Sequence, residues 1–390
     1  MEKRIKNYDA ILNRQSLWDC HIDTLNDYFF LNGVNIDKGI LYILTERLVP
    51  EFAYFYLKGI RLGMLGKAPY DIIENFLNKL QIKYKVKNFG TDDNIKTLLK
   101  YIDEGKIPLI LYDNTILSGD QIAKKDMIYL RHFSSGLVIS YNDENEYFTI
   151  SRRAMATNEF KRFSYDIIGK AMNSKMMPIA PRGKYLVLEY LSEEECERIK
   201  EYIESYALSS LKNGLKNYSE CMNADIEKIT QNVELYSDDL LKTVNLKIGD
   251  FYAGEEAYDQ TIEYLKDLKM TISDKSAKAE SRNKLFYFKA SVLNIELKVS
   301  PTFYFVDLYD GLKAIFENLN YNENKKNEIL QSVDAAARAA RSFTRTLHGF
   351  DRVLFKEKFL SKLIDNVNAV NDKNKILNAK LNDMLVELGV

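Results

Sequence analysis

Two residue types in this chain can serve as nucleophile and base, and both are scarce: the cysteines are Cys20, Cys196 and Cys221, and the histidines are His21, His132 and His348. Cys20 stands in Ser16-Leu17-Trp18-Asp19-Cys20-His21, just before the periodic run Ile22 to Phe30, so a lone thiol falls at or near the start of a helix. A helix N-terminus favours the thiolate, and an imidazole brought near it can take the proton. Far downstream, Arg131-His132-Phe133 opens an apolar run through Leu137-Val138-Ile139. A thiol heading a helix and a histidine opening a late strand could pair as nucleophile and base. For an arbitrary cysteine the plain reading is a small buried hydrophobe, but the polar Asp19-Cys20-His21 is not a core pattern.

The remaining chemistry-bearing residues are weighed in the same way. His21 directly follows the thiol, and neighbours on a helix point about 100° apart, so it is a poor base for Cys20 and reads as a surface or substrate-lining group. His132, at the mouth of an apolar strand, is the natural general base. His348, in Arg345-Thr346-Leu347-His348-Gly349, reads as a helix C-terminal residue facing the dipole. Gln15 lies five residues before Cys20, where a side-chain amide can donate to an oxyanion. Arg338, Arg341 and Arg345 share one stripe of a helix. That stripe is either a salt-bridged face or a phosphate-binding one.

These residues need elements to hold them. In the first half, helices are expected over 20–32 (ended by Asn32-Gly33), 36–47, 69–80 and 94–104, the last with an N-cap region at Thr91-Asp92-Asp93. Strands are expected at 84–86, 107–112, 131–141, 146–150 and 185–190, with a hairpin turning at 142–145. Beyond Ser192-Glu193-Glu194-Glu195, a capping-box start, the chain reads as almost continuous helix: 193–212, 218–245, 254–275, 278–298, 322–349 and 351–387, with Pro301 breaking the pattern. The expected architecture is α+β: a papain-like domain over 1–190 followed by a mainly α-helical domain over 191–390.

Bulk properties narrow the classes. The chain has 390 residues, enough for a large core in two or three domains. A net charge of -1 argues against a broad electrostatic partner such as nucleic acid. Three cysteines without short spacing suggest neither a disulfide framework nor a metal site. The first residues lack the apolar core of a signal peptide, and no uncharged stretch of 18 residues offers a membrane span. The expected location is the reducing cytoplasm.

Three segments carry a family resemblance. The run Trp18-Asp19-Cys20-His21-x-x-x-Leu25, ending at Asn32-Gly33-Val34, resembles the N-terminal domain of the butirosin biosynthesis protein H family. So do Gly105 to Ile110 followed by Asp113, and His132-Phe133 leading to Tyr141-Asn142-Asp143. The resemblance spans about residues 12–155. It implies a papain-like fold, distantly related to bacteriocin-leader peptidases. It also implies acyl transfer in antibiotic biosynthesis, moving an acyl group from a carrier-protein thioester to an amine. Carried over, Cys20 would be the nucleophile and His132 the base; read from the residues themselves, Gln15 is the oxyanion candidate and Trp18 and His21 are substrate-side groups. The chain departs from the family at two places. Leu44 to Pro50 stands where a glycine-rich segment is usual, and Thr149-Ile150-Ser151-Arg152 lacks the usual aspartate. Asn142 or Asp143 in the turn would then orient His132, or the pair acts as a dyad.

The implied partners are an acyl or peptidyl carrier protein with its phosphopantetheine arm and a small amine acceptor, with no cofactor of the enzyme's own. A homodimer stays open. A cysteine peptidase or amidase of the same fold, and a non-catalytic binding protein that kept it, are the rival readings.

Overall fold

The computed structural model describes residues 2–12, 14, 20–46, 51–57, 60–66, 72–90, 94–118, 133–153, 159–174, 181, 183–220, 246–274, 277–286, 288–289, 301–350 and 356–390. In chain order these form β1 (Lys3–Arg4), a 3-10 turn η1 (Tyr8–Ile11), α1 (Cys20–Leu31), α2 (Lys38–Leu44), β2 (Glu51–Leu57), β3 (Ile60–Gly66), α3 (Ile72–Lys79), β4 (Tyr84–Asn88) and α4 (Ile95–Asp103). They continue with β5 (Ile107–Asp113), α5 (Asn114–Ser118), β6 (Phe133–Asn142), β7 (Tyr147–Arg153), β8 (Phe160–Ser164), α6 (Tyr165–Met172), β9 (Lys184–Leu188) and α7 (Glu193–Glu220). The last are β10 (Leu246–Ala253), α8 (Gly254–Met270), α9 (Pro301–Asn318), α10 (Glu323–His348) and α11 (Glu357–Glu387), with a further helical stretch over 277–286. The fold class is α+β, and every strand pair is antiparallel.

The chain divides into two compact units, and not by a single cut near residue 190. Residues 1–36 and 71–203 make the first unit; 37–70 and 204–390 make the second. Strand pairing and helix packing explain the difference. The β2–β3 hairpin pairs with β10, nearly two hundred residues downstream, and α2 packs on α9. The backbones of α2 and α9 meet at Gly39 and Gly311, where neither residue has room for a Cβ.

The first unit is built on one sheet in the order β4-β9-β5-β6-β7-β8, with β1 added against β6. Its middle strand β5 is the apolar run Ile107-Pro108-Leu109-Ile110-Leu111-Tyr112, buried except for a half-buried Leu111, as an interior strand requires. The edge strand β4 alternates Lys85 and Lys87 with Val86, which discourages pairing with another chain. α1 packs mainly on β6, and also on η1, β7 and α3. It ends at Asn32-Gly33, with Gly33 at φ +70° closing the helix in the left-handed conformation. Asn32 then holds the start of the next segment: its Oδ1 accepts from the Leu191 amide at 2.6 Å. The capping box read from the sequence is present, with Ser192 N donating to Glu195 Oε2 (2.8 Å) and Glu195 N to Ser192 Oγ (3.1 Å).

In the second unit, a three-stranded sheet in the order β10-β2-β3 is covered by α8. Phe52, Tyr54, Tyr264 and Phe288 form its aromatic core. α9, α10 and α11 pack in succession, and α11 returns onto α8. Pro301 is the first residue of α9, where its missing N–H costs nothing, and the apolar segment after it is helical. Among the described residues, no helix is long and apolar enough to cross a membrane.

Candidate functional site

Cys20 is the first residue of α1 and half-buried, so the thiol occupies the helix start that its sequence position suggested. The helix behind it is buried on almost every side, including His21, Asp23, Thr24, Asn26 and Asp27. A helix so buried needs internal partners for its polar side chains, and His21 and Thr24 find one at the opening of β6. Thr24 Oγ1 donates to the Cys20 carbonyl at 2.7 Å. Ser135 Oγ lies 2.9 Å from His21 Nδ1, 3.1 Å from Thr24 Oγ1 and 3.4 Å from the Cys20 carbonyl. Tyr112 on β5 donates to the Ser135 carbonyl at 3.1 Å, and burial pushes its phenol up so that it stays neutral. The first turn of α1 is thereby fastened to Ser135, the third residue of β6.

This corrects the reading of His21. It is 4% exposed and turned onto Ser135, so it joins helix to sheet and does not line a surface. The polar triplet around Cys20 signalled a special environment, but that environment is a buried hydrogen-bond cluster. Sequence reasoning missed its sheet-side member, Ser135, because a serine in a strand carries no signal of its own.

His132 lies outside the described residues, as do Gln15, Trp18 and Cys221. His132 immediately precedes Phe133, the first residue of β6. β6 is continuous over ten residues, about 30 Å at the rise of a strand. Asn142 and Asp143 stand at the far end. Asn142 serves its own turn there, its Oδ1 accepting from the Asn145 amide at 3.0 Å, and Asp143 is exposed. A carboxylate at the Phe133 end of β6 is Asp113. It closes β5 directly opposite Phe133, is fully buried, and accepts from Ser174 Oγ at 2.8 Å.

A second buried cluster precedes the thiol. Arg14, 8% exposed, donates from Nε to Asp27 Oδ1 (2.7 Å) and from Nη2 to the Asp23 carbonyl (3.2 Å) and the Asp23 carboxylate. Burial works against its charge, but Asp27 and Asp23 outweigh it, and Arg14 is held more firmly protonated than a free guanidinium.

The other sequence-level residues lie elsewhere. Cys196 is buried near Asn32, its Sγ 3.5 Å from the Asn32 carbonyl, and burial raises its thiol pKa, which makes it inert. His348 ends α10, exposed, and its carbonyl accepts from Lys289 Nζ at 2.9 Å, as a helix-terminal residue would. Arg338 and Arg345 are exposed on the same helix, with Arg341 half-buried, and Arg338 is paired with Asp334, as on a salt-bridged face. Among the described residues no cluster of His, Cys, Asp and Glu could hold a metal ion.

Fold and site define an α+β protein in which a helix-borne cysteine is laid against the opening of an antiparallel strand. No protein-family model matches the chain, and no curated protein matches it.

Proposed function

We propose that the chain is a thiol-dependent acyltransferase with a papain-like first unit, forming an amide from a carrier-bound acyl thioester and an amine. The observation that carries this reading is the junction of α1 and β6: the residue heading the helix is the thiol, and the strand that grips that helix start is the one His132 leads into. In the proposed reaction His132 takes the proton of Cys20. The thiolate attacks the thioester carbonyl, a new carbon–sulfur bond forms, and the bond to the carrier arm's sulfur breaks. That sulfur leaves as a thiol with the proton from His132. An amine then attacks the acyl-enzyme, a carbon–nitrogen bond forms, and Cys20 is released with the proton the amine loses. No oxidant, ATP or metal enters the balance. Gln15 would donate to the oxyanion, and Asp113, at the Phe133 end of β6, would take the orienting role.

The partners in this reading are an acyl or peptidyl carrier protein, presenting a phosphopantetheine arm, and a small amine, all in the cytoplasm. Partitioning tests the acceptor. A short-chain acyl thioester is supplied with rising concentrations of a diamine or an amino sugar, and amide is quantified against free acid. Amide should overtake acid as amine rises. Hydrolysis that dominates at saturating amine, with ready cleavage of peptides, would make the protein a peptidase or amidase instead.

A further inference from the structure

The Arg14 cluster has a place in the site that its burial alone does not require. Cys20, Asp23, Thr24 and Asp27 follow one another at i, i+3, i+4 and i+7, so both carboxylates stand on the helix stripe that begins with the thiol. A carboxylate in the first turn opposes a thiolate at the same helix end and offsets the favourable dipole. Both are deeply buried, Asp23 at 6% and Asp27 at 0%, so solvent does little to screen them. The cation that offsets part of their charge is Arg14, which precedes the helix in the chain. One side chain is therefore tied to α1 and halves the charge that would work against the thiol.

We propose that Arg14 is a positioning residue for the reacting thiol: its guanidinium is tied to α1 and offsets part of the charge of the two buried carboxylates that follow Cys20 on the same helix face. The inference rests on the reading of Cys20 as the nucleophile. Other titratable groups stand on the elements around α1. Among the described residues, η1 carries Tyr8 and Asp9, α3 carries Glu74 and Lys79, β7 carries Tyr147, Arg152 and Arg153, and β5 carries Asp113 and brings Tyr112 close enough to sense the thiol. Of these, Glu74 is paired with Lys184, and Tyr8 lies beneath the guanidinium of Arg4. On α1 itself the only other titratable group near the thiol is His21, held on Ser135. At this end β6 offers serines, Ser134 and Ser135.

The test is alkylation of Cys20 by iodoacetamide in the full chain, followed by peptide mass spectrometry as a function of pH. Replacing Arg14 by Gln should raise the midpoint by about one unit and slow alkylation at neutral pH roughly tenfold. Arg14→Lys should recover part of the loss, because it restores charge without the two-pronged fit. If Arg14→Gln does not fold, Asp23→Asn carries the test. It is isosteric, removes one carboxylate while leaving Arg14 held by Asp27, and should lower the midpoint by about half a unit. A folded Arg14→Gln with an unchanged profile, or an unchanged midpoint in Asp23→Asn, overturns the proposal. A wild-type Cys20 no more reactive than a free thiol in a peptide would instead count against its role as nucleophile, whatever the variants do.

Discussion

Replacing Gly311 by alanine should destabilise the second unit by an amount its geometry bounds. A Cβ at Gly311 would fall 2.5 Å from the Gly39 carbonyl oxygen, 2.6 Å from the Gly39 carbonyl carbon and 2.8 Å from Ile43 Cδ1. Ordinary contact begins near 3.4 Å, so α2 and α9 must part by about 0.9 Å, and the first two atoms are backbone that no rotamer change can move. Overpacking of this kind costs about 1–3 kcal/mol, and rigid neighbours place it at the upper end. Removing a mid-helix glycine from α9 returns up to about 1 kcal/mol of helix propensity. The net loss is about 2 kcal/mol, which lowers Tm by roughly 4–8 °C in a unit of this size. Gly349→Ala is the control, because that residue has helical φ -68° and its nearest atoms are 3.5 and 3.6 Å away. It should melt within about 0.5 kcal/mol of the parent. Calorimetry of the three proteins decides. Equal melting of Gly311→Ala and Gly349→Ala would refute the argument that two glycines set the spacing of these helices.

The site yields further expectations. Asp113→Asn should slow acylation of Cys20 by about 10²-fold or more if that carboxylate orients the base, whereas Asn142→Ala and Asp143→Ala, some 30 Å along β6, should stay within a few-fold in a stopped-time thioester assay. His132→Ala should cost on the order of 10²–10⁴ in rate. His348→Ala, exposed at the end of α10, should change little in the same assay, and equal small losses from both would remove His132 from the mechanism.

Local signals in the sequence were strong where one segment decides its own conformation. The thiol at a helix start, the Asn32-Gly33 stop, the capping box at Ser192 and the β6–β7 hairpin are each specified by residues within a few positions of one another. α4 is capped by Asn94 itself, three residues past the start of the expected N-cap region. The sheet of the second unit was not legible. β2, β3 and β10 come together from distant segments, and such pairing leaves no trace in local periodicity. The site was half legible for the same reason. Cys20 and the strand that follows His132 announce themselves by type and position. Asp113 and Ser135 gain meaning only from register, which sets them at the Phe133 end of β6, with Asn142 and Asp143 at the other. Arg14 reads as an ordinary surface cation until the fold buries it against Asp23 and Asp27.

The measurement that bears most directly on the whole account is intact-mass spectrometry after incubation with an acyl thioester. The wild-type chain should gain one acyl group, mapping to Cys20, and Cys20→Ala should gain none. An adduct on the buried Cys196 or on Cys221, or an undiminished adduct in Cys20→Ala, would contradict the assignment of Cys20 as the nucleophile.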